Sequence, residues 1–119
     1  METKLRGVFL TSENPEKAAK FYQQVAALPI DAVGTPETYV YWRLDLDGVQ
    51  LSIHDAQAFA SYTHPALRES NLTHLYFQIT EQKAFLAHLD QLGIAPSAVD
   101  DVVVTVIDPD GRHVMFGTA

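Results

Sequence analysis

Phe21-Tyr22-Gln23-Gln24-Val25-Ala26-Ala27-Leu28-Pro29-Ile30 is echoed later in the chain by Phe85-Leu86-Ala87-His88-Leu89-Asp90-Gln91-Leu92-Gly93-Ile94. Phe21, Val25, Leu28 and Ile30 match Phe85, Leu89, Leu92 and Ile94, and Pro29 stands where Gly93 stands. Apolar residues spaced by four and then three draw one stripe along a helix. Upstream of the first copy, Asn14 reads as an N-cap and Pro15 as the first helical residue. A helix over 15–28 then places Ala18, Phe21, Tyr22, Val25 and Leu28 on one face, and Pro29 is expected to stop it. Residues 7–11 before it read as a strand. Thr38–Leu46 and Val49–His54 after it read as two strands joined by the hairpin signal Asp47-Gly48.

The second half repeats this order. Residues 72–79 alternate like a strand, Thr80 is placed to cap the next helix, and Gly93 ends it. Asp101–Ile107 and His113–Gly117 flank the turn Asp108-Pro109-Asp110-Gly111, which aligns with Asp45-Leu46-Asp47-Gly48. The chain therefore reads as a duplicated β-α-β-β-type module, one copy over about 5–54 and the other over about 72–117, with 55–71 as connector. The competing reading, two unrelated α+β segments, leaves the matched helix, breaker and turn without a cause.

Composition narrows the function. At 119 residues with 47% apolar content the chain suits one globular domain, 1–119, with a real core. Eight Lys and Arg against fifteen Asp and Glu give a net charge of −7, and no cluster of basic residues offsets it. Such a surface repels phosphate backbones, so a nucleic-acid partner is not expected, and a neutral or cationic small molecule suits it better. The absence of cysteine removes disulfides, thiolate metal sites and cysteine nucleophiles. Val102–Ile107 is far too short to span a bilayer, and Met1–Arg6 holds no apolar signal core, so the expected location is cytoplasmic, away from membranes.

Alternation divides each strand into two faces. Val8 with Leu10, Leu51 with Ile53, Leu75 with Phe77 and Ile79, and Val114 with Phe116 form the apolar faces. The opposite faces carry Gly7, Phe9 and Thr11; Gln50, Ser52 and His54; His74, Tyr76 and Gln78; and His113, Met115 and Gly117. Neither Lys, Glu nor Asp occurs in these mixed sets, which favours a lined cavity over a plain solvated face. In the Thr38–Leu46 run, Val40, Trp42, Leu44 and Leu46 share a face, so Trp42 reads as core. Tyr39, Tyr41 and Arg43 lie opposite, at the expected cavity mouth, where Arg43 has two readings: partner of an anionic ligand, or of Asp45. His64 and His88 read as surface positions. Phe59, Tyr62 and Leu67 make the connector unusually apolar, suited equally to covering the cavity, meeting a second subunit or packing on the same chain.

Three pieces resemble the vicinal oxygen chelate superfamily, which includes glyoxalase I, bleomycin-resistance proteins, fosfomycin-resistance enzymes and extradiol dioxygenases. They are Asn14-Pro15-Glu16-Lys17-Ala18-Ala19-Lys20-Phe21-Tyr22, Leu72-Thr73-His74-Leu75-Tyr76-Phe77, and Asp108-Pro109-Asp110-Gly111 with the strand after it. The resemblance implies an α+β fold in which two tandem βαβββ modules form curled mixed sheets around a cavity with helices outside. It also implies a homodimer.

In metal-dependent members of that family, the first and last strand of each module supply one ligand apiece. Matching the motifs puts those places at Gly7, Ser52, His74 and Met115. Only His74 suits a divalent ion: Gly7 has no side chain, Ser52 is a poor neutral donor and Met115 is a soft thioether. No cofactor is expected. His54, His74 and His113 form a displaced alternative, but His54 and His113 each stand two residues, about 6.6 Å, from their family places, and zinc ligands must all lie about 2 Å from one ion. Without metal, His74 is the best candidate for a general base, with Asp45 or Asp55 as orienting carboxylates. A neutral His74 bonded to Tyr76 or Gln78 is the simpler reading.

The expected function is reversible binding of a small organic molecule, such as an antibiotic or other aromatic compound, by Phe9, Gln50, Ser52, His54, His74, Tyr76, His113 and Met115. Two alternatives stand beside it. One is a glyoxalase, lyase or dioxygenase-type enzyme using a displaced histidine site or no metal. The other is a regulatory module whose dimer surface matters more than its cavity.

Overall fold

A computed structural model describes residues 7–60 and 75–119, with the side chains of 59 and 60 left aside. In the first half β1 (Gly7–Ser12) leads to α1 (Pro15–Gln24), followed by β2 (Asp31–Thr35), β3 (Tyr39–Leu46), β4 (Val49–Asp55) and the short α2 (Ala56–Ala60). In the second, β5 (Leu75–Gln78) leads to α3 (Gln82–Leu92), β6 (Ala98–Val99), β7 (Val103–Ile107) and β8 (His113–Gly117). Each half builds a four-stranded mixed sheet with the same path, β1-β4-β3-β2 and β5-β8-β7-β6. The first and last strands run parallel, β1 on β4 and β5 on β8, and the other pairs are antiparallel. This is the βαβββ pattern twice over.

The helices form as their sequence directs at the start and depart from it at the end. Asn14 accepts a hydrogen bond from the Lys17 amide at 3.1 Å, satisfying one of the free amides of the first turn. However, α1 stops at Gln24, well before Pro29. Leu28 precedes that proline and is sterically pushed out of helical geometry. Ala27 takes the left-handed turn at φ +53°, and the Leu28 amide closes back on the Tyr22 carbonyl at 3.1 Å. In α3 the left-handed residue is Gly93, as the sequence predicts, with φ +70°. The N-cap of α3 is Glu81 rather than Thr80, and it makes no side-chain cap bond.

The short β2 and β6 and the helix α2 are additions to the sequence reading. β2 and β6 carry mostly exposed residues and so lack the apolar run that marks the central strands. β7 begins at Val103 because the Asp100 carboxylate takes the amides of Val102 and Val103, each at 2.8 Å, and holds 100–102 in a turn. Those two bonds, Val103 first, hold the Asp100 carboxyl below the usual carboxylate range.

The apolar faces meet the helices. Leu10, Leu51, Ile53, Val104, Val106, Val114 and Phe116 join Ala18, Phe21, Tyr22 and Val25 of α1 and Phe85 and Leu89 of α3 in one core. Trp42, Leu75, Phe77 and Ile79 pack against its margin. Phe85 stacks on Phe116 with ring centroids 4.5 Å apart, tying α3 to its sheet.

The halves are also joined by a buried polar knot. Asp108 is the first residue past the last ladder pair of the second hairpin, Ile107 with His113. Its carboxylate accepts from the Tyr22 hydroxyl at 2.7 Å, from the amides of Asp110 and Arg112 at 2.8 Å each, and from the Arg112 guanidinium at 2.9 Å. Arg112 also donates to the Thr11 carbonyl, and Asp110 takes the Glu13 amide at 3.1 Å. Burial, with the Asp108 charge beside it, raises the Tyr22 pKa far above the usual phenol value. The aligned turns thus differ: Asp45 lies in the ladder opposite Gln50, whereas Asp108 turns inward, because the second connection leaves residues 108–112 outside the ladder and the first only Asp47 and Gly48.

Candidate functional site

The mixed face of the first sheet is set by register. The turn residues Asp47 and Gly48 both have positive φ, +52° and +88°, the geometry of a two-residue hairpin. That turn sets Arg43 opposite Ser52 and Asp45 opposite Gln50. The parallel ladder then sets Phe9 beside Ser52, and β2 sets Asp31 beside Arg43. Phe9, Ser52, Arg43 and Asp31 therefore form one row across four strands.

His54 is the centre of this face. It is buried, at 9% exposure, and Tyr41 stacks on it at 4.7 Å with planes 11° apart. Tyr39 stacks at 5.9 Å and Phe9 lies tilted at 5.2 Å. Both ring nitrogens have hydroxyl partners, Tyr39 at 2.7 Å on Nδ1 and Ser52 at 2.9 Å on Nε2. A neutral imidazole has one N–H and one lone pair, and two hydroxyls satisfy either tautomer. Burial lowers the His54 pKa below the ordinary histidine value, so the ring is neutral at pH 7. Ser52 is fully buried beneath it.

Phe9 is different, with 54% of its surface exposed. It folds back over Gly7, where a Cβ would meet the Phe9 ring at 2.7 Å and the Gln50 carbonyl at 3.1 Å. A depression of ≈ 340 Å³ lies at this end of the face, lined by Phe9, Asp45, Gly48 and Gln50.

In the second sheet, Tyr76 pairs with Met115, and Met115 with Thr105. Ser52 and Met115 hold corresponding places, each between the first and third strand of its half. Tyr76 lies across Gly117 and donates to the Ala119 carbonyl at 3.0 Å. His113 is exposed at the start of β8. His74, His64, Tyr62 and Leu67 lie outside the described residues. His88 is half-buried rather than a plain surface residue, with its Nε2 2.5 Å from the Gln24 carbonyl.

Phe9, Gln50, Ser52 and His54 thus share the first sheet's mixed face, and Tyr76, His113 and Met115 share the second's. The sequence reading left Tyr39 and Tyr41 out of the binding set, although they hold His54 in place. The signal was present: a two-residue turn at Asp47-Gly48 carries the register along β3 to bring Tyr41 beside His54. Among the described residues, no group of three or more His, Cys, Asp or Glu side chains is placed to hold a metal ion, and no helix is long and apolar enough to cross a membrane.

Neither a protein-family model nor a curated protein matches the chain in sequence. Solved structures match its fold. A lactoylglutathione lyase from Agrobacterium tumefaciens superposes with a TM-score of 0.69 at 17% identity, over 98% of this chain and 94% of that one. The trypanothione-dependent glyoxalase I of Leishmania major gives 0.68 at 12% identity, over 98% and 86%. A glyoxalase family protein from Enterococcus faecalis gives 0.63 at 22% identity, over 96% of each chain. The fold is that of these glyoxalase structures.

Proposed function

We propose that this chain is a small-molecule-binding protein of the glyoxalase and bleomycin-resistance type, cytoplasmic and homodimeric, that sequesters an antibiotic or other aromatic compound without a metal or other cofactor. The observation that carries this reading is the state of His54. Both its ring nitrogens are bonded to hydroxyls, Tyr41 stacks on the ring and burial favours its neutral form, so it holds the aromatic face in place and has no nitrogen left over for a metal or a moving proton. The donor chemistry at the family's metal places points the same way. Gly7 has no side chain and lies under Phe9, the Ser52 hydroxyl is spent on His54, and Met115 offers a thioether. In this reading His74, Tyr76, His113 and Met115 complete the binding surface from the second sheet. The exposed Phe9 and Tyr76 favour a second copy that closes over the mixed faces.

The names of two fold neighbours, a lactoylglutathione lyase and a glyoxalase I, favour a second reading: a glyoxalase, lyase or dioxygenase-type enzyme. Native mass spectrometry with matched metal analysis separates the two. A dimer that takes up no Zn, Mn, Ni or Fe(II) is the expected result. One metal per site, with turnover that depends on it, overturns the binding reading.

A further inference from the structure

We infer that the ligand is an aromatic carboxylate, its ring lying on Phe9 and its carboxylate held by Arg43; this rests on the binding reading above. Among the described residues Arg43 is the only Lys or Arg in a strand. It sits half-buried in the middle of the first sheet's mixed face. Among the described residues its guanidinium makes neither a hydrogen bond nor an ion pair, whereas that of Arg112 is engaged by Asp108, Asp110 and Thr11.

A guanidinium partly withdrawn from water loses hydration and is compensated best by a partner that matches its planar fork, which a carboxylate does. The two carboxylates nearest in the ladder do not take that part. Asp31, directly across, and Asp45, two residues along, are exposed and form no ion pair with it. One Asp45 oxygen already takes the Gly48 amide at 2.9 Å.

The row supplies the rest of the ligand. Phe9 and Arg43 flank Ser52, two strand spacings or about 9.5 Å apart. That span suits a bicyclic aromatic acid, with the exposed Phe9 ring under the rings and Arg43 at the acid end. The net charge of −7 does not decide against an anion, because charges beyond about 8 Å are screened at physiological salt while the Arg43 contact is direct.

Isothermal titration of the purified protein with 2-naphthoate, 2-naphthamide and 2-naphthylmethylammonium tests this, since the three share a ring and differ in charge. Naphthoate is expected to bind about tenfold or more tightly than the amide. Arg43→Met should erase that difference while circular dichroism stays unchanged, and Arg43→Lys should keep part of it. Should Arg43→Met fail to fold, the wild-type protein still answers: added salt should weaken the naphthoate and spare the amide. Equal binding of acid and amide overturns the carboxylate and leaves the binding reading standing. Tightest binding of the ammonium, lost in Asp45→Asn, overturns it in favour of a cation site. If none of the three binds, the aromatic-binding reading falls with it.

Discussion

The two halves follow one path and spend their special residues differently. In the first, the mixed face is organised around a buried histidine and stacked tyrosines, and the helix ends on a strained alanine. In the second, the helix ends on a glycine suited to the turn, the mixed face opens with Tyr76 and His113, and the longer hairpin sends an aspartate inward to hold the first half's helix. A shared backbone pattern thus leaves room for one half to build an aromatic cluster around a histidine and the other to fasten the pair together.

The comparison can be broken at several points. If both helices anchor one core, Phe21→Ala and Phe85→Ala should each cost about 3–5 kcal/mol in urea unfolding, since both rings are buried to the same degree. A cost under about 1 kcal/mol for either would place that helix outside the core. Tyr22→Phe removes one bond from the knot but leaves Asp108 its other partners, so a loss of about 1.5–3 kcal/mol is expected. The unfolding transition should stay single if Arg112 still holds the halves together.

The buried His54 predicts a pH dependence specific to the first half. Its folded pKa is depressed, so the unfolded chain binds the proton more readily. The stability this neutral ring contributes is complete above the unfolded value of about 6.5 and is lost as pH falls below it toward the folded pKa. His54→Gln should flatten that part of a stability-versus-pH curve. The smallest effects should come at the helix ends, and with opposite signs. Ala27→Gly should stabilise by about 1 kcal/mol and Gly93→Ala should destabilise by a similar amount, because each changes the fit of a residue to the left-handed turn. Thermal melts of the two variants provide the check.

The duplication, the apolar faces and the βαβββ order were legible because they rest on periodicity and turn chemistry, both local. Thr11 and Gly117 took the faces that alternation assigned, and Trp42 went to the core margin. What escaped was set by tertiary contacts. Asp108 reads as an ordinary turn aspartate until α1 brings Tyr22 to it. The end of α1 depends on a left-handed alanine, which few sequences reveal. Of the candidate site, alternation placed Phe9, Gln50, Ser52 and His54 on one face and Tyr76, His113 and Met115 on the other, but the stacking of Tyr39 and Tyr41 on His54 needed the register across β3 and β4.

Phe9 over Gly7 also constrains how this chain can change. A donor side chain placed at position 7 meets the Phe9 ring and the Gln50 carbonyl at once. The ring can swing aside or be replaced, but the carbonyl belongs to the ladder and cannot. A side chain at position 7 therefore displaces the Phe9 ring from its present place. The ring in its present place and a side chain at position 7 compete for the same few ångströms.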